Sequence, residues 1–121
     1  MKLFSTPNSP FSRVARIAIH ELDLSDQVKI EFVTVRDSES ELLRYGPLGK
    51  VPALQIGSDL FSDTRIVVNM LEFASSRARL TAKNGNASDL AFEGFCLGFL
   101  ESIAVWIRES RRKPELISQS L

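Results

Sequence analysis

The apolar positions change period several times along the chain, and each change marks an element. Lys2 to Ser5 reads as a short strand, stopped by Thr6-Pro7-Asn8. From Phe11 the apolar positions are Phe11, Val14, Ala15, Ala18, Ile19 and Leu22, which is one face of a helix. Ser9 stands near its cap and Pro10 in its first turn, where a missing N–H costs nothing. Arg13 and Arg16 fall off the stripe. Lys29 to Val35 is a second strand rich in β-branched residues. Asp37 to Tyr45 is a short helix or irregular turn, ended by Gly46-Pro47-Leu48-Gly49. Ala53 to Ile56 is a third strand, Gly57-Ser58 a tight turn, and Asp59 to Phe61 a fourth strand. Ser62-Asp63 opens a helix through about Ala74, with Ile66, Val67, Met70, Leu71 and Ala74 inward. The expected result is an α/β (α+β) domain: a βαβ unit, a short helix, and a ββα unit around one mixed four-stranded sheet.

Composition shifts at Arg77 to Asn86, which reads as a linker. The expected organisation is a domain at residues 1–76, a linker at 77–86 and a helical segment at 87–121. Ser88-Asp89 is expected to cap a long helix to about Arg112, about 37 Å at 1.5 Å per residue, stopped by Lys113-Pro114. Its apolar residues, from Leu90 through Phe92, Phe95 and Phe99 to Trp106 and Ile107, wrap most of the circumference. A helix of that kind needs cover on more than one side. The first domain covers one face, so the rest calls for further helices or a second subunit.

Charge adds little to this picture. Fifteen basic and fifteen acidic residues cancel, so nothing global points to nucleic acid or to a membrane surface. Arg108, Arg111, Arg112 and Lys113 form the strongest local cluster, and cations suit a helix C-terminus. The most apolar run, Leu90 to Ile107, is interrupted by Glu93 and Glu101, so no bilayer-spanning run is expected. One cysteine, Cys96, excludes an internal disulfide and a cysteine-based metal site. The single thiol suits a reducing compartment, and Met1-Lys2-Leu3-Phe4 shows no signal peptide, so the expected location is cytoplasmic. Asn86-Ala87-Ser88 matches a glycosylation sequon by chance on that reading.

Three places carry candidate chemistry. Ser9 puts a hydroxyl at a helix N-terminus, where backbone N–H groups and the helix dipole favour an anion. A hydroxyl donating a hydrogen bond to a thiol there favours the thiolate, so Ser9 would polarise a nucleophile carried by a ligand. The plainer role is an ordinary cap. Val51-Pro52 precedes a strand; the ring pushes Val51 to an extended conformation, and its backbone can pair with a peptide-like ligand. Asp63-Thr64, at the start of the next helix, offers N–H groups and a hydroxyl for a carboxylate and an acid for an ammonium, or else caps the helix. Lys50 suits a second carboxylate, or is simply a solvated lysine. His20 lies more than two helical turns beyond Ser9, so no Ser-His-Asp arrangement is suggested.

The runs Ser9-Pro10-Phe11-Ser12-Arg13-Val14-Ala15-Arg16-Ile17-Ala18, Pro47-Leu48-Gly49-Lys50-Val51-Pro52-Ala53-Leu54 and Phe61-Ser62-Asp63-Thr64-Arg65-Ile66-Val67 occur in that order. Together they resemble the cytosolic glutathione transferases, closest to the serine- and cysteine-type bacterial members and the theta, zeta and omega classes. The resemblance implies a thioredoxin-like domain followed by the first helix of an all-helical domain, with the chain stopping after that helix. It implies glutathione as co-substrate and no metal. Ser9 matches the residue assisting the glutathione sulfur, and Val51, before a cis-proline at Pro52, pairs with the cysteinyl part. Asp63 and Thr64 match the pair that holds the γ-glutamyl end, and Lys50 a position that assists the glycine carboxylate. Gly46 stands where the family usually has Asn, Asp63-Thr64 replaces the commoner Glu-Ser, and Met70 stands where an aromatic is usual.

The implied activity is addition of the glutathione thiolate to a hydrophobic electrophile, in detoxification, by a cytoplasmic homodimer. The partners are then glutathione and a hydrophobic small molecule, with no nucleic acid and no membrane. The alternative is a non-catalytic member of the same fold serving as an interaction module. A dithiol oxidoreductase is disfavoured, because Ser9 and Ser12 stand where that chemistry needs cysteine.

Overall fold

The computed structural model describes residues 1–35, 37–77, 79–81 and 86–118. The chain divides into two compact units, Met1–Thr81 and Ala82–Leu121. Of the expected linker, Ala78 and residues 82–85 lie outside the described residues.

The first unit runs β1 (Lys2–Ser5), α1 (Pro10–Glu21), β2 (Lys29–Phe32), α2 (Leu42–Tyr45), β3 (Ala53–Ile56), β4 (Asp59–Ser62) and α3 (Thr64–Ala74). The four strands form one sheet in the order β2-β1-β3-β4. β1 and β2 are parallel, joined by the crossover helix α1; β3 returns antiparallel to β1, and β4 antiparallel to β3. This is the mixed four-stranded sheet expected from the pattern, in the thioredoxin-like arrangement that the resemblance implies. The turn into β4 is made by Gly57 at φ +60°, a conformation that costs glycine little.

Side chains alternate across the sheet, and both faces are covered. Leu3 and Leu54 point into a core with Ala15, Ile19 and Leu22 of α1 and Val67 and Leu71 of α3. Their neighbours Phe4 and Ala53 point the other way and pack with Leu42 of α2. Three layers result, with the sheet in the middle.

Three details of this unit differ from expectation. β2 stops at Phe32, not Val35. Its partner β1 ends at Ser5, which pairs with Phe32, so no strand remains beyond it to pair with. β4 extends one residue further, to Ser62, because Ala53 is there to receive it. In α3 the buried residues are Thr64, Val67, Val68, Leu71 and Glu72, while Ile66 and Ala74 are exposed. That helix carries two overlapping apolar stripes, and packing against α1 and the sheet selected the one in phase with Thr64. Ile66 and Phe73 remain on the exposed side, at 46% and 66%.

The second unit holds α4 (Ala87–Ser110) and a single 3-10 turn at Pro114–Leu116. Its cap is Asn86, not Ser88-Asp89: the Asn86 side chain accepts the Asp89 N–H at 3.0 Å, so the sequon asparagine serves the helix. Asp89 then lies in the first turn, where a negative charge suits the dipole. Helix geometry ends at Ser110 rather than Arg112. Beyond it, Glu109 accepts the Ser118 N–H and pairs with Arg112 at 3.2 Å. Phe92, Phe95, Phe99 and Trp106 are exposed along α4, and Phe95 stacks on Phe99 one turn away. By length and composition alone this 24-residue helix is apolar enough to cross a membrane, its most apolar 18-residue stretch having a mean hydropathy of 1.6. That corrects the expectation that Glu93 and Glu101 remove it from that class: two carboxylates in so apolar a run do not lower its average enough.

Candidate functional site

The sheet register brings the three sequence motifs to one end of the sheet. Phe4 pairs with Ala53, and Ala53 pairs with Ser62, in a row across three adjacent strands. Ser9 follows β1 at that end, Val51-Pro52 precede β3 there, and Asp63-Thr64 follow β4 there. Neighbouring strands are about 4.8 Å apart, so the row from β1 to β4 spans about 10 Å. That is also about the length of three extended residues.

Ser9 is the N-cap of α1. Its backbone is extended (φ −77°, ψ 121°), and its Oγ accepts the Ser12 N–H at 3.2 Å. Pro10 fills the first helical turn, and that turn holds no acidic residue. A hydroxyl has one hydrogen to give and two lone pairs. The cap uses a lone pair, which leaves the hydrogen for an acceptor at the helix end.

Val51-Pro52 is a cis peptide bond, as expected. Ala53 is the first residue of β3 in the ladder with β1, so Val51 lies two residues before the paired stretch. Pro52 is buried and Val51 half-buried, which fixes the main chain that enters the strand. Gly49 precedes it with φ +54°, a conformation that a side chain would strain, and a Cβ there would lie 3.2 Å from Leu43. Lys50 is exposed and forms no ion pair among the described residues. It lines a cavity of about 220 Å3 with Gly46, Gly49 and Ser62.

Asp63 is the N-cap of α3, with φ +79° and ψ 135°. That region is rarely adopted by a side-chain-bearing residue, and holding it costs on the order of 1–3 kcal/mol. The Asp63 carboxylate accepts the Arg65 N–H at 2.9 Å and remains exposed. Thr64 beside it is 7% exposed, so little beyond its edge faces outward.

One residue that the sequence pattern passed over stands out. Arg16 donates from Nη1 to Ser5 Oγ (2.7 Å) and to the Thr6 carbonyl (2.9 Å), and from Nη2 to the Pro7 carbonyl (3.3 Å). Its guanidinium lies over the Phe32 ring, 5.8 Å from the centroid. Ser5 is fully buried, and an unpartnered buried hydroxyl costs about 1–3 kcal/mol. The signal was its spacing: Arg16 is seven residues after the cap, two helical turns, so it returns to the side of the helix that faces the loop.

On the α2 side, Lys2 reaches Glu41 at 3.2 Å and Glu31 at 3.3 Å, and the Tyr45 hydroxyl donates to the same Glu41 carboxylate at 3.3 Å. Hydrogen bonding with Glu31 and Lys2 holds the Glu41 carboxyl below its usual range, and hydrogen bonding to Glu41 raises Lys2. This network ties the start of α2, and so the segment leading to Lys50, to β1 and β2.

A family model for the glutathione S-transferase N-terminal domain matches residues 3–79. No curated protein matches the chain. Solved structures do. A glutathione S-transferase from Methylobacillus flagellatus KT with glutathione bound superposes with a TM-score of 0.84 at 22% identity, covering 98% of this chain and 59% of its own. A glutathione transferase family member from Pseudomonas fluorescens Pf-5, with bound glutathione, gives 0.82 at 23% identity, covering 98% and 61%. A glutathione S-transferase from Methylobacterium radiotolerans JCM 2831, in complex with glutathione sulfonate, gives 0.80 at 22% identity, covering 98% and 57%. The chain thus spans less than two thirds of the length of these structures. With the sheet order, the three-layer packing and the matched residues in agreement, the chain belongs to the glutathione S-transferase family, through that family's N-terminal domain.

Proposed function

We propose that this protein binds glutathione across the ends of β1, β3 and β4 and adds its thiolate to a hydrophobic electrophile. The observation that carries this reading is the register Phe4–Ala53–Ser62, which sets three unlike groups in a row as long as a tripeptide. The Val51 backbone pairs with the cysteinyl residue as an added strand would. Asp63 takes the γ-glutamyl ammonium, and the Thr64 N–H and hydroxyl take its carboxylate. Lys50, exposed at the other end, takes the glycine carboxylate. Ser9 donates its hydroxyl hydrogen to the sulfur.

A hydrogen bond to a charged group contributes about 1.5–3 kcal/mol, and one pKa unit corresponds to about 1.4 kcal/mol. Ser9 alone therefore lowers the thiol pKa by about one to two units from about 8.5. At neutral pH that raises the thiolate fraction from about 3% to between about 25% and 75%. In this reading the glutathione-binding domain occupies residues 1–76, residues 77–86 link it to the helical part at 87–121, and the protein works as a cytoplasmic homodimer. That glutathione is bound in solved members of the same fold supports the choice of ligand.

The exposed aromatic residues of α4 favour a second reading, a non-catalytic interaction module of the same fold. Titrating glutathione into the protein by calorimetry, with thiolate absorbance and turnover of an activated aryl halide followed in parallel, separates the two. Binding, a thiolate signal and turnover support the transferase. Binding of glutathione without turnover supports the module, and absence of both binding and thiolate overturns the glutathione reading.

A further inference from the structure

We infer that Arg16 is a positioning residue for the Ser9 hydroxyl: its guanidinium fork holds the β1–α1 loop in the geometry that aims Ser9 at the thiol. This rests on the glutathione reading above. Three residues, Thr6, Pro7 and Asn8, separate β1 from the Ser9 cap. Arg16 reaches back from the second turn of α1 and binds the carbonyls of Thr6 and Pro7, at 2.9 and 3.3 Å, as well as Ser5 Oγ at 2.7 Å. Its far side rests on Phe32, the last residue of β2. The fork thus joins the ends of two parallel strands to the loop between them and the helix.

A planar fork with several donors in fixed directions can do this; a lysine, with one nitrogen on a flexible stem, cannot hold three oxygens in the same way. All three acceptors are neutral oxygens, and Arg16 makes no salt bridge among the described residues. No carboxylate therefore competes for the fork, and the bonds to the loop persist when surface charges are screened. The Ser12 N–H fixes the Ser9 hydroxyl from the helix side, and Arg16 fixes its main chain from the strand side.

The test compares wild type, Arg16→Lys and Arg16→Ala. Glutathione affinity is measured by calorimetry, and the pKa of the bound thiol by thiolate absorbance against pH. Folding is checked by thermal unfolding, and if Arg16→Ala does not fold, Arg16→Lys alone is read. The expected result is a bound-thiol pKa raised by about one unit in both variants, a roughly tenfold loss of thiolate at low pH, with affinity changed less than about threefold. Arg16→Lys keeps the charge, so a wild-type thiol pKa in that variant overturns the role of the fork. Amide hydrogen exchange at Thr6, Asn8 and Ser9 is measured without ligand. Faster exchange in Arg16→Lys supports the hold on the loop, and unchanged exchange overturns it. If wild type binds no glutathione, the functional reading fails by itself, and the exchange data still decide for Arg16.

Discussion

The Ser9 hydroxyl accepts the Ser12 backbone N–H at 3.2 Å, which makes it a helix cap and leaves its hydrogen for the donor role proposed above. The two roles separate by substitution. Ser9→Ala removes both: it costs about 1 kcal/mol of stability and raises the thiol pKa of bound glutathione by about one to two units. Ser9→Asp keeps the cap but sets a negative charge beside the sulfur, so stability stays within about 0.5 kcal/mol of wild type while the thiolate is lost. Chemical denaturation and thiol titration of the two variants check this; equal thiol pKa values in Ser9→Asp and wild type would remove Ser9 from the site.

Asp63 carries backbone strain where a ligand is expected to bind. With φ +79° and ψ 135°, it adopts a conformation that glycine adopts readily. Asp63→Gly should therefore stabilise the fold by about 1 kcal/mol, since glycine is tolerated at a cap and the strain is relieved. The same variant loses the acid proposed for the ammonium of the ligand, and glutathione affinity should fall at least about tenfold. Denaturation midpoints and calorimetric titration read the two effects independently. A less stable variant with unchanged affinity would contradict both halves.

Leu54 lies at the centre of the sheet, fully buried, and pairs with Leu3. Leu54→Ala leaves a cavity between α1, α3 and the strands, and should cost about 3–4 kcal/mol. That is a large share of the roughly 5–15 kcal/mol of a whole domain. Leu48→Ala, at a residue 62% exposed, should change stability by less than about 0.5 kcal/mol. Urea unfolding of the two variants tests the layer assignment, because similar losses would mean that the buried face has been misread.

Much of the first unit was legible because its signals are local. Strands showed as short apolar or β-branched runs between turn signals, the α1 stripe followed period 3.6, and Ser9, Gly57 and Asp63 sat where capping and turn chemistry requires them. The α3 face was misjudged because two stripes overlap in Ile66–Ala74, and only the position of the sheet chooses between them. The cap of α4 was misjudged because Asn86, Ser88 and Asp89 are all good caps, and one turn of helix decides. For Arg16 the spacing from the Ser9 cap gave the side of the helix but not the role, since it acts through the carbonyls of Thr6 and Pro7, which no side-chain periodicity records. The resemblance carried by the Ser9, Val51-Pro52 and Asp63-Thr64 motifs implied a shared site, but only the strand register Phe4–Ala53–Ser62 puts the three at one end of the sheet.

Glu72 makes the first unit acid-sensitive at its C-terminal end. The residue is 6% exposed, and its carboxylate accepts the Leu80 N–H at 2.7 Å, the Thr81 N–H at 2.6 Å and the Thr81 hydroxyl at 2.7 Å. Burial pushes its pKa up, but the hydrogen bonds from Thr81 and Leu80 and the nearby charge of Arg79 outweigh that, and the net shift is downward. A folded-state pKa below the unfolded value means that the unfolded chain takes up the proton first. The contribution is therefore complete above the ordinary glutamate value of about 4.3, and is lost as pH falls through the lowered folded value. Glu72→Gln keeps one oxygen for the two amides but removes the charge. It should cost about 1–2 kcal/mol at neutral pH and flatten the stability profile between about pH 5 and pH 3. Urea unfolding at intervals across that range provides the measurement, and a variant whose profile parallels wild type throughout would show that another carboxylate governs the acid limb.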